Sequence, residues 1–363
     1  MQNIKISKLQ VTNFRNLEPD IITFSPNINC ILGENGNGKT NILEALFVLS
    51  NRKSFRKNTS FPQFLGIDGD KPEILFTSIF DCEGDQLSYS GKMDPNGSTW
   101  FMDGKATRKK VGAELVFINP FDAYSFSNIP SFRRKWFDDH ISMCNREYKK
   151  VLNRYNSSLR FRNTLLSKKP TDFMKQLNVI DKQMSEYSFD MLNMRIDFVN
   201  NLAPISEEIY KDIFSEEHQL KINIDSRFLG FSQQQIFDYM QSRLEKDLVV
   251  GHTTYQIHKD DYVLLFDGLN AYEFCSLGQQ KMSYLSLLFA YIELFRYKFN
   301  TYPIVLIDDV SGELDRVRWS RLINFLETSK FQVLITTANE KFKEELERID
   351  GANKIYVDNG SII

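Results

Sequence analysis

One stretch, residues 33–40, reads Gly-Glu-Asn-Gly-Asn-Gly-Lys-Thr and constrains the fold more than any other part of the chain. It matches the pattern G-x-x-x-x-G-K-[ST], in which a glycine-rich turn joins a strand to a helix. The apolar run 28–32 before it is typical of a buried strand, and the apolar spacing in 41–49 predicts a helix. Such a turn directs backbone N–H groups and a helix N-terminus into one concavity. The stretch therefore predicts an α/β fold that binds a nucleotide through its phosphates.

The chemistry of this pattern gives roles to single residues. Lys39 is expected to reach the β- and γ-phosphates, and the Thr40 hydroxyl is expected to sit on Mg²⁺. A glycine-rich turn without a ligand would match the same letters, but the flanking strand and helix favour the phosphate loop. The expected nucleotide contacts are Gly33, Glu34, Asn35, Gly36, Asn37, Gly38, Lys39, Thr40 and Asn41.

Composition bounds the remaining possibilities. The 363 residues, of which 42% are hydrophobic, suffice for one large or two ordinary globular domains. A net charge of −2 means that any nucleic-acid surface must be a local basic patch. The four cysteines form no C-x-x-C pair, which argues for reduced thiols and against a zinc site. Without a signal peptide or a membrane-spanning run, the sequence predicts a soluble cytoplasmic protein with no membrane partner.

Local patterns in the first third of the chain indicate β-structure. Residues 4–14 alternate as a strand does, and 21–24 is expected to be its hairpin partner. From 73 to 102, short β-rich runs separated by turn residues predict an antiparallel meander. The apolar run 115–118 is typical of one further strand. These elements and the phosphate loop predict the first half of a nucleotide-binding head with an antiparallel subdomain.

The pattern changes near Pro130, where helical periodicity begins and continues to about residue 210. Pro170 and Pro204 are expected to break this region. It resembles a lobe inserted into the head. We therefore expect an N-terminal head half at 1–129, a helical lobe at 130–228 and a C-terminal head half at 229–363.

The helical region contains a strongly basic segment. Residues 146–169 include eight Lys or Arg and a single acid, Glu147, alongside apolar residues at three- and four-residue spacing. One face of such a helix would pack and the other would suit phosphate contact. A solvated helix face explains the same charges, and both interpretations stay open. The loop 51–57 has four cations and the same two interpretations.

Paired acids follow a second buried run. Residues 302–309 are apolar up to Asp308 and Asp309, as in a strand that presents one acid to Mg²⁺ and another to the attacking water. We expect Asp308 on the metal and Asp309 as the residue that polarises water. A turn or helix cap would also use Asp, but the phosphate loop elsewhere in the chain favours the catalytic interpretation. The next apolar run ends in Thr336 and Thr337, which could sense the γ-phosphate or cap a helix.

The segment Ser276-Leu277-Gly278-Gln279 precedes a helix expected from Met282 to about Tyr297. Serine and glycine at a helix N-terminus can bind an anion, although a simple cap has the same residues. The order of the phosphate loop, the long insertion, S-x-G-Q, the paired acids and then 311–315 resembles an ABC-type ATPase head of the SMC group. Within that group the chain resembles the RecF family of bacterial recombination-repair proteins. The resemblance is found in residues 13–17, 33–41, 53–56, 130–138, 258–261, 278–281 and 308–315.

The resemblance implies ATP and Mg²⁺ as ligands and an ATP-dependent homodimer that encloses two nucleotides. In such a head, Ser276, Gly278 and Gln279 of one copy face the γ-phosphate held by Lys39 of the other. Hydrolysis removes the bridging charge and weakens the dimer.

Other residues take their roles from the same resemblance. Asp309 would be the catalytic carboxylate, working with Lys39, and Asp315 would bridge the dimer interface. Arg15, in the segment 13–17, is counted with the ATP-binding residues. Thr336 and Thr337 stand where transport ATPases have a switch histidine, which predicts slow turnover.

The resemblance also implies DNA as a partner, in particular junctions of single and double strands and gapped duplexes. Such proteins work with RecR and RecO to load RecA, so a weak DNA-dependent ATPase is expected. The expected DNA contacts are Arg133, Arg134, Lys149, Lys150 and Arg154. For Arg133 and Arg134 there is an alternative, because both could be buried structural partners of Asp138 or Asp139.

Two other functions remain open from the sequence. An ATPase subunit of a transport complex would share the nucleotide motifs, and a membrane partner would identify it. A structural, SMC-like clamp that binds ATP and hardly hydrolyses it would need its acids only for Mg²⁺.

Overall fold

The computed structural model describes residues 3–56, 58–66, 72–119, 121–214, 217–309, 314–337 and 339–363, apart from the side chain of Lys341. By residue contacts the chain divides into two compact units. The head unit comprises residues 1–122 and 295–363, and the lobe unit comprises residues 123–294. Every helix in the described ranges is too short or too polar to cross a lipid bilayer.

The described ranges contain both strands and helices. In chain order the strands are β1 (Ile4–Thr12), β2 (Ile22–Thr23), β3 (Ile28–Leu32), β4 (Ile74–Cys82), β5 (Asp85–Asp94), β6 (Gly97–Met102), β7 (Lys105–Ala106), β8 (Leu115–Ile118), β9 (Leu220–Asp225), β10 (Asp261–Phe266), β11 (Leu269–Asn270), β12 (Ile304–Ile307), β13 (Val333–Thr336), β14 (Asn353–Asp358) and β15 (Ser361–Ile362). The helices are α1 (Lys39–Asn51), α2 (Phe61–Phe64), α3 (Asp122–Asn128), α4 (Pro130–Cys144), α5 (Arg146–Lys168), α6 (Phe173–Ile213), α7 (Gln233–Ser242), α8 (Leu244–Val250), α9 (Ala271–Phe274), α10 (Leu277–Phe299), α11 (Arg316–Thr328) and α12 (Glu340–Glu347), with a 3-10 turn at Ile257–Lys259.

A mixed sheet in the head unit has the strand order β15-β14-β3-β13-β12-β8. All its pairs are parallel except β14 with β15. Strands β3, β12 and β13 are buried along their whole length, as expected for parallel strands covered on both faces. The parallel pairing brings the carboxyl ends of β3, β13 and β12 to one edge, in that order.

The second sheet of the head unit is antiparallel, with the order β2-β1-β4-β5-β6-β7. Both predictions for this region are confirmed, since Lys8 pairs with Thr23 in the hairpin and the meander runs through β4, β5 and β6. Apolar residues from both sheets and α1 form one core. Phe76 stacks on Trp100 within it, at a centroid distance of 6.0 Å.

The lobe unit consists of helices and the small sheet β11-β10-β9. Helices α4, α5 and α6 confirm the predicted helical region, and Pro170 lies between α5 and α6. The prediction of a break at Pro204 was wrong, because α6 continues from Phe173 to Ile213. Pro204 is exposed, so the solvent side of the helix accommodates its ring.

The predicted lobe, residues 130–228, lies within the lobe unit, which continues to Leu294. The later residues belong to this unit because β10 pairs with β9, with Tyr262 opposite Ile224. A buried ion-pair network adds to this, as Arg162 of α5 bonds Asp181 of α6 at 2.6 Å and Asp247 of α8 at 2.7 Å. The helix predicted from Met282 is α10, which begins five residues earlier, at Leu277.

Candidate functional site

The phosphate-loop stretch lies between β3 and α1, as the sequence predicts. Gly33 has a φ of 154°, and a Cβ there would lie 2.3 Å from the Val357 carbonyl oxygen. Gly38 has a φ of 110°, and its carbonyl accepts from the N–H groups of Asn41 at 2.9 Å and Ile42 at 3.1 Å. Only glycine is compatible with this backbone path, because left-handed φ values and the close Val357 backbone exclude a side chain. Because Gly33 and Gly38 have no side chains, the backbone of the turn is free to line the phosphate-binding concavity that the sequence predicts.

Distant segments hold the loop in place. Asn16 donates from Nδ2 to the Gly36 carbonyl at 3.0 Å and accepts at Oδ1 from Asn41 Nδ2 at 2.7 Å. The Asn37 carbonyl accepts from the Gly360 N–H at 2.9 Å. Asn37 Nδ2 also donates to Asp358 Oδ1 at 3.1 Å. Asn16 did not figure among the predicted site residues, although it lies in the segment 13–17 that the family resemblance uses.

Lys39 is folded back over the loop that precedes it. Its Nζ donates to the Gly33 carbonyl at 2.7 Å and to the Glu34 carbonyl at 2.8 Å. Burial lowers the pKa of the ammonium, and the nearby carboxylates of Asp309 and Asp308 counteract part of that shift. The two carbonyl groups hold the cation in the concavity, where an anion would meet it.

Asp308 is the centre of a hydroxyl cluster at the carboxyl edge of the parallel sheet. Thr40 Oγ1 donates to Asp308 Oδ1 at 2.8 Å from the start of α1. Thr336 Oγ1 donates to the same oxygen at 2.8 Å from the end of β13, the strand between β3 and β12. Burial raises the pKa of the Asp308 carboxyl, while the bonds from Thr336 and Thr40 oppose that rise. The cluster brings together residues that are far apart in the chain.

Asp309 is positioned by the same threonine. Its N–H donates to Thr336 Oγ1 at 3.2 Å, and its φ of 40° lies in the left-handed region. Non-glycine residues in this region are uncommon and concentrate at functional sites. Thr337 behaves differently, since its Oγ1 accepts from the Asn339 N–H at 3.2 Å just before α12. That bond closes a turn before the helix and does not involve an N–H group of its first turn.

The residues at this edge fit Mg²⁺ bound together with phosphates. Mg²⁺ in nucleotide sites takes one or two protein oxygens and completes its shell with phosphate oxygens and water. The Thr40 hydroxyl and the Asp308 carboxylate are such a pair, and Lys39 supplies a cation beside them. No group of three or more His, Cys, Asp or Glu side chains suited to a metal lies within the described ranges.

Arg15, predicted as an ATP contact, forms a two-point ion pair with Glu44. Its Nε and Nη2 donate to the two carboxylate oxygens at 3.0 and 2.9 Å. Glu44 is fully buried on α1 and also accepts from Ser54 Oγ at 2.5 Å. Arg56 lies 3.4 Å from Glu44 and donates to Asn41 Oδ1 at 2.8 Å. A carboxylate inside the apolar helix 41–49 was the sequence signal for this cluster, and the prediction did not use it.

The S-x-G-Q residues form a capping box at the start of α10, in the lobe unit. The Ser276 N–H donates to Gln279 Oε1 at 2.9 Å, and Ser276 Oγ accepts from the Gln279 N–H at 3.3 Å. Gly278 lies between them in the first turn. Asp315 is also a helix cap, because its Oδ1 accepts from the Arg318 N–H at 2.8 Å before α11. Residues 311–313 of the predicted motif lie outside the described ranges.

Arg133 is buried and serves a structural role. Its Nε and Nη2 donate to Asp261 at 2.9 and 2.5 Å, and its guanidinium lies 4.1 Å from the centroid of the Tyr272 ring. The alternative of a buried structural partner was therefore correct, but the expected partners Asp138 and Asp139 were wrong. Helix α4 runs beside β10, which places Asp261 within reach.

The acids that were expected to pair with Arg133 have other partners. Asp138 accepts from Arg195 at 2.8 Å, and Asp139 pairs with Lys135. Arg134 is half-buried, while the remaining predicted DNA contacts are exposed on α5. Those exposed residues are Lys149, Lys150 and Arg154, of which Lys150 pairs with Glu147 at 2.9 Å.

Comparisons with known proteins agree with this architecture. Residues 5–66 and 120–360 match the family model described as RecF/RecN/SMC N terminal domain. The chain is 30% identical over 378 residues to the DNA replication and repair protein RecF of Clostridioides difficile (strain 630), covering 99% of this chain and 98% of that protein. It is 29% identical over 381 residues to the protein of the same name from Streptococcus suis (strain 05ZYH33), covering 98% of each.

Solved structures show the same fold. A structure titled as the recombination mediator protein RecF-ATPrS in the RecFOR pathway superposes with a TM-score of 0.81 at 23% identity, over 99% of this chain and 98% of that one. The Smc head domain from Pyrococcus furiosus, solved with an extended coiled coil and the C-terminal domain of ScpA, superposes with a TM-score of 0.60 at 14% identity, over 99% and 95%. The predicted fold class, an SMC-type ATPase head with an antiparallel subdomain and a helical insertion, is confirmed. On the family match and the 30% identity over nearly its whole length, the chain belongs to the RecF family.

Proposed function

We propose that this protein is an ATP-dependent DNA-binding protein of recombinational repair and replication-gap processing, a weak DNA-dependent ATPase that dimerises on ATP. The observation that supports this most directly is the convergence of Lys39, Thr40 and Asp308 at the carboxyl edge of the parallel sheet. The relatives named DNA replication and repair protein RecF, and a solved RecF-ATP structure from the RecFOR pathway, agree with it.

In this proposal the nucleotide site is built by residues of the head unit. The phosphate-loop backbone binds the phosphates. Lys39 gives up its hydrogen bonds to the Gly33 and Glu34 carbonyls and donates to phosphate oxygens in their place. Thr40 and Asp308 hold Mg²⁺, which when bound neutralises phosphate charge. Asn41 and Arg15 act at the margin of the site, Arg15 by fixing α1 through Glu44.

Asp309 is the proposed catalytic carboxylate. It orients the attacking water and accepts a proton from it, as carboxylates do in related phosphoryl transfers. Thr336 sets the geometry, because its hydroxyl accepts from the Asp309 N–H and donates to Asp308. Thr336 thus fixes the position of Asp308, the proposed metal ligand, relative to Asp309, the proposed catalytic carboxylate.

Dimerisation would complete the site in trans. Ser276, Gly278 and Gln279 begin α10, where a helix N-terminus favours an anion such as the γ-phosphate of the other copy. The exposed Leu277 beside them is 55% accessible and suits burial in an interface. Asp315 would bridge the two copies. Loss of the γ-phosphate would remove the charge that both copies share and would favour separation.

DNA contact is assigned to the exposed cations of α5 together with Arg134, with a preference for junctions of single and double strands. Buried Arg133 is left out of this set because Asp261 neutralises it. RecR is the proposed direct partner, with RecO and RecA later in the pathway. A scan that changes Lys149, Lys150 and Arg154 singly to Gln should flatten the salt dependence of DNA affinity by about one unit of slope for each true phosphate contact.

The decisive test is the solution mass with ADP, with ATP, and with ATP after Asp309→Asn, each with and without a gapped duplex. We expect a monomer with ADP and a dimer with ATP that lasts longest in the variant on DNA. Asp190→Asn, the same isosteric change on an exposed face of α6, serves as the matched control and should behave as the wild type. A mass that does not respond to nucleotide would refute the ATP-gated dimer.

A further inference from the structure

A cavity of about 280 Å³ lies inside the lobe unit, where α4, α5, α6 and the 3-10 turn at Ile257–Lys259 meet. It is separate from the residues assigned to the nucleotide. Its volume is close to the lower limit of small-molecule sites, about 300 Å³. Its polar lining includes Ser131, Arg134, Tyr155, Asn156, Arg195 and His258.

Two sequence motifs converge at this cavity, although the nucleotide site uses neither. They are residues 130–138 and 258–261, two of the segments that support the family resemblance. The two-point bond between Arg133 and Asp261 joins them across 128 positions. Arg133 and Asp261 neutralise each other, and Arg134 and His258 from the same two segments line the cavity.

The acids that line the cavity are already neutralised. Asp138 accepts from Arg195 Nη2 at 2.8 Å and from the Tyr148 hydroxyl, and Asp139 pairs with Lys135. The half-buried guanidinium of Arg134, in contrast, forms no hydrogen bond or ion pair with any other residue in the described part of the chain. A half-buried guanidinium has lost part of its hydration and gains from an anion that replaces it.

Neutral donors lie beside this cation. His258 Nδ1 is 3.0 Å from the Tyr155 hydroxyl, which leaves Nε2 as the nitrogen free to carry the proton and donate. Burial and the cations of Lys259 and Arg134 lower the pKa of His258 to about 4, so the ring is neutral at pH 7. Ser131 and Asn156 add a hydroxyl and an amide from α4 and α5.

We propose that this cavity is a second phosphate-binding site, in which Arg134 takes the charge of a phosphate group and Ser131, Asn156 and His258 donate to its other oxygens. A planar guanidinium combined with donors from several directions suits a tetrahedral group with several oxygens better than a carboxylate. The phosphate can come from a DNA strand or from a small phosphate compound. The DNA source rests on the proposed function, whereas the small-molecule source does not.

The test compares the wild type with Arg134→Gln and Arg134→Lys in the absence of ATP. Anisotropy measures affinity for two gapped duplexes that differ only in a 5′-phosphate or 5′-hydroxyl at the gap, and calorimetry measures binding of inorganic phosphate at constant ionic strength. Lys182→Gln removes one exposed charge from α6 of the same unit and is the control. Thermal melting of each variant verifies that it is folded.

If the ligand is a phosphate of DNA, we expect Arg134→Gln to weaken DNA binding about tenfold and Arg134→Lys to retain part of the affinity. Lys182→Gln should have little effect on DNA binding. A loss confined to the 5′-phosphate duplex identifies a strand end, and an equal loss for both duplexes identifies an internal phosphate. Loss of inorganic phosphate binding with unchanged DNA affinity identifies a small phosphate compound. If Arg134→Gln changes neither DNA nor phosphate binding, the proposed site is refuted, whatever the ATP-dependent mass shows.

Discussion

The Thr336 hydroxyl donates to Asp308 Oδ1 at 2.8 Å, although 28 positions separate the two residues. The same oxygen of Thr336 accepts the Asp309 N–H at 3.2 Å. A single hydroxyl thereby uses both its donor and its acceptor capacity on adjacent acids. The threonine at the end of β13 consequently helps to fix the positions of Asp308 and Asp309.

Replacing Thr336 tests this relationship. Thr336→Val should lower Mg²⁺-dependent ATP hydrolysis about tenfold, because a hydrogen bond to a charged carboxylate is lost. Burial already raises the pKa of Asp308, and removing a donor raises it further, so the pH at which Mg²⁺ affinity falls should move upward. Thr336→Ser retains the hydroxyl and should keep the wild-type pH dependence. An unchanged pH midpoint in the valine variant would contradict the proposed role.

Lys39 should dominate the binding of ATP. Lys39→Ala removes the cation that the Gly33 and Glu34 carbonyls hold in the concavity, and ATP affinity measured by calorimetry should fall at least tenfold. Lys105→Ala removes an exposed cation on β7 and should leave the affinity unchanged. Equal losses in the two variants would mean that net charge, and not the loop geometry, determines affinity.

The Arg162 network should contribute strongly to the stability of the lobe unit. Arg162→Met leaves Asp181 and Asp247 buried without their cation, and the free energy of unfolding in urea should fall by about 3–5 kcal/mol at pH 8. The loss should shrink toward acid pH, because burial raises the pKa of Asp181 and protonation removes the uncompensated charge.

Arg160→Met is the control for this prediction, since Arg160 is exposed on the same helix. Its free energy of unfolding should stay within about 0.5 kcal/mol of the wild type. A small effect of Arg162→Met that does not depend on pH would show that the network adds little to stability.

His140 should make the protein less stable in mild acid. Its Nδ1 donates to the Trp136 carbonyl at 2.7 Å, and burial lowers its pKa from 6.5 to about 4. Between those values the unfolded chain binds the proton and the folded chain does not, so stability falls as pH decreases from about 6.5 toward 4. Asp260, whose pKa burial raises to about 6, acts in the opposite direction and offsets part of the loss.

Melting temperatures measured from pH 7 to pH 4.5 test this expectation. His140→Phe should make the decline with falling pH shallower, because the titrating ring is gone. His252→Gln, at an exposed position of the same unit, should leave the decline as it is in the wild type. The same slope in all three proteins would contradict the role of His140.

Local pattern was sufficient to predict the nucleotide-binding elements. The strand, glycine turn and helix around 28–49 were predicted correctly, because the residues within each element determine which local backbone conformation it adopts. The hairpin and the meander were predictable for the same reason. At Pro204 a local rule failed, because packing on both sides of the proline keeps α6 continuous while its ring faces solvent.

The sequence by itself thus determined the fold class, the nucleotide motifs and the apolar faces of the helices. Only the tertiary structure decided which partners the charged residues take. Arg133 pairs with Asp261 across 128 positions, and Thr40 reaches Asp308 across 268. Periodicity shows which face a side chain occupies, but a pairing partner depends on which elements become neighbours, and that depends on the order of strands in the sheets and the packing of the helices.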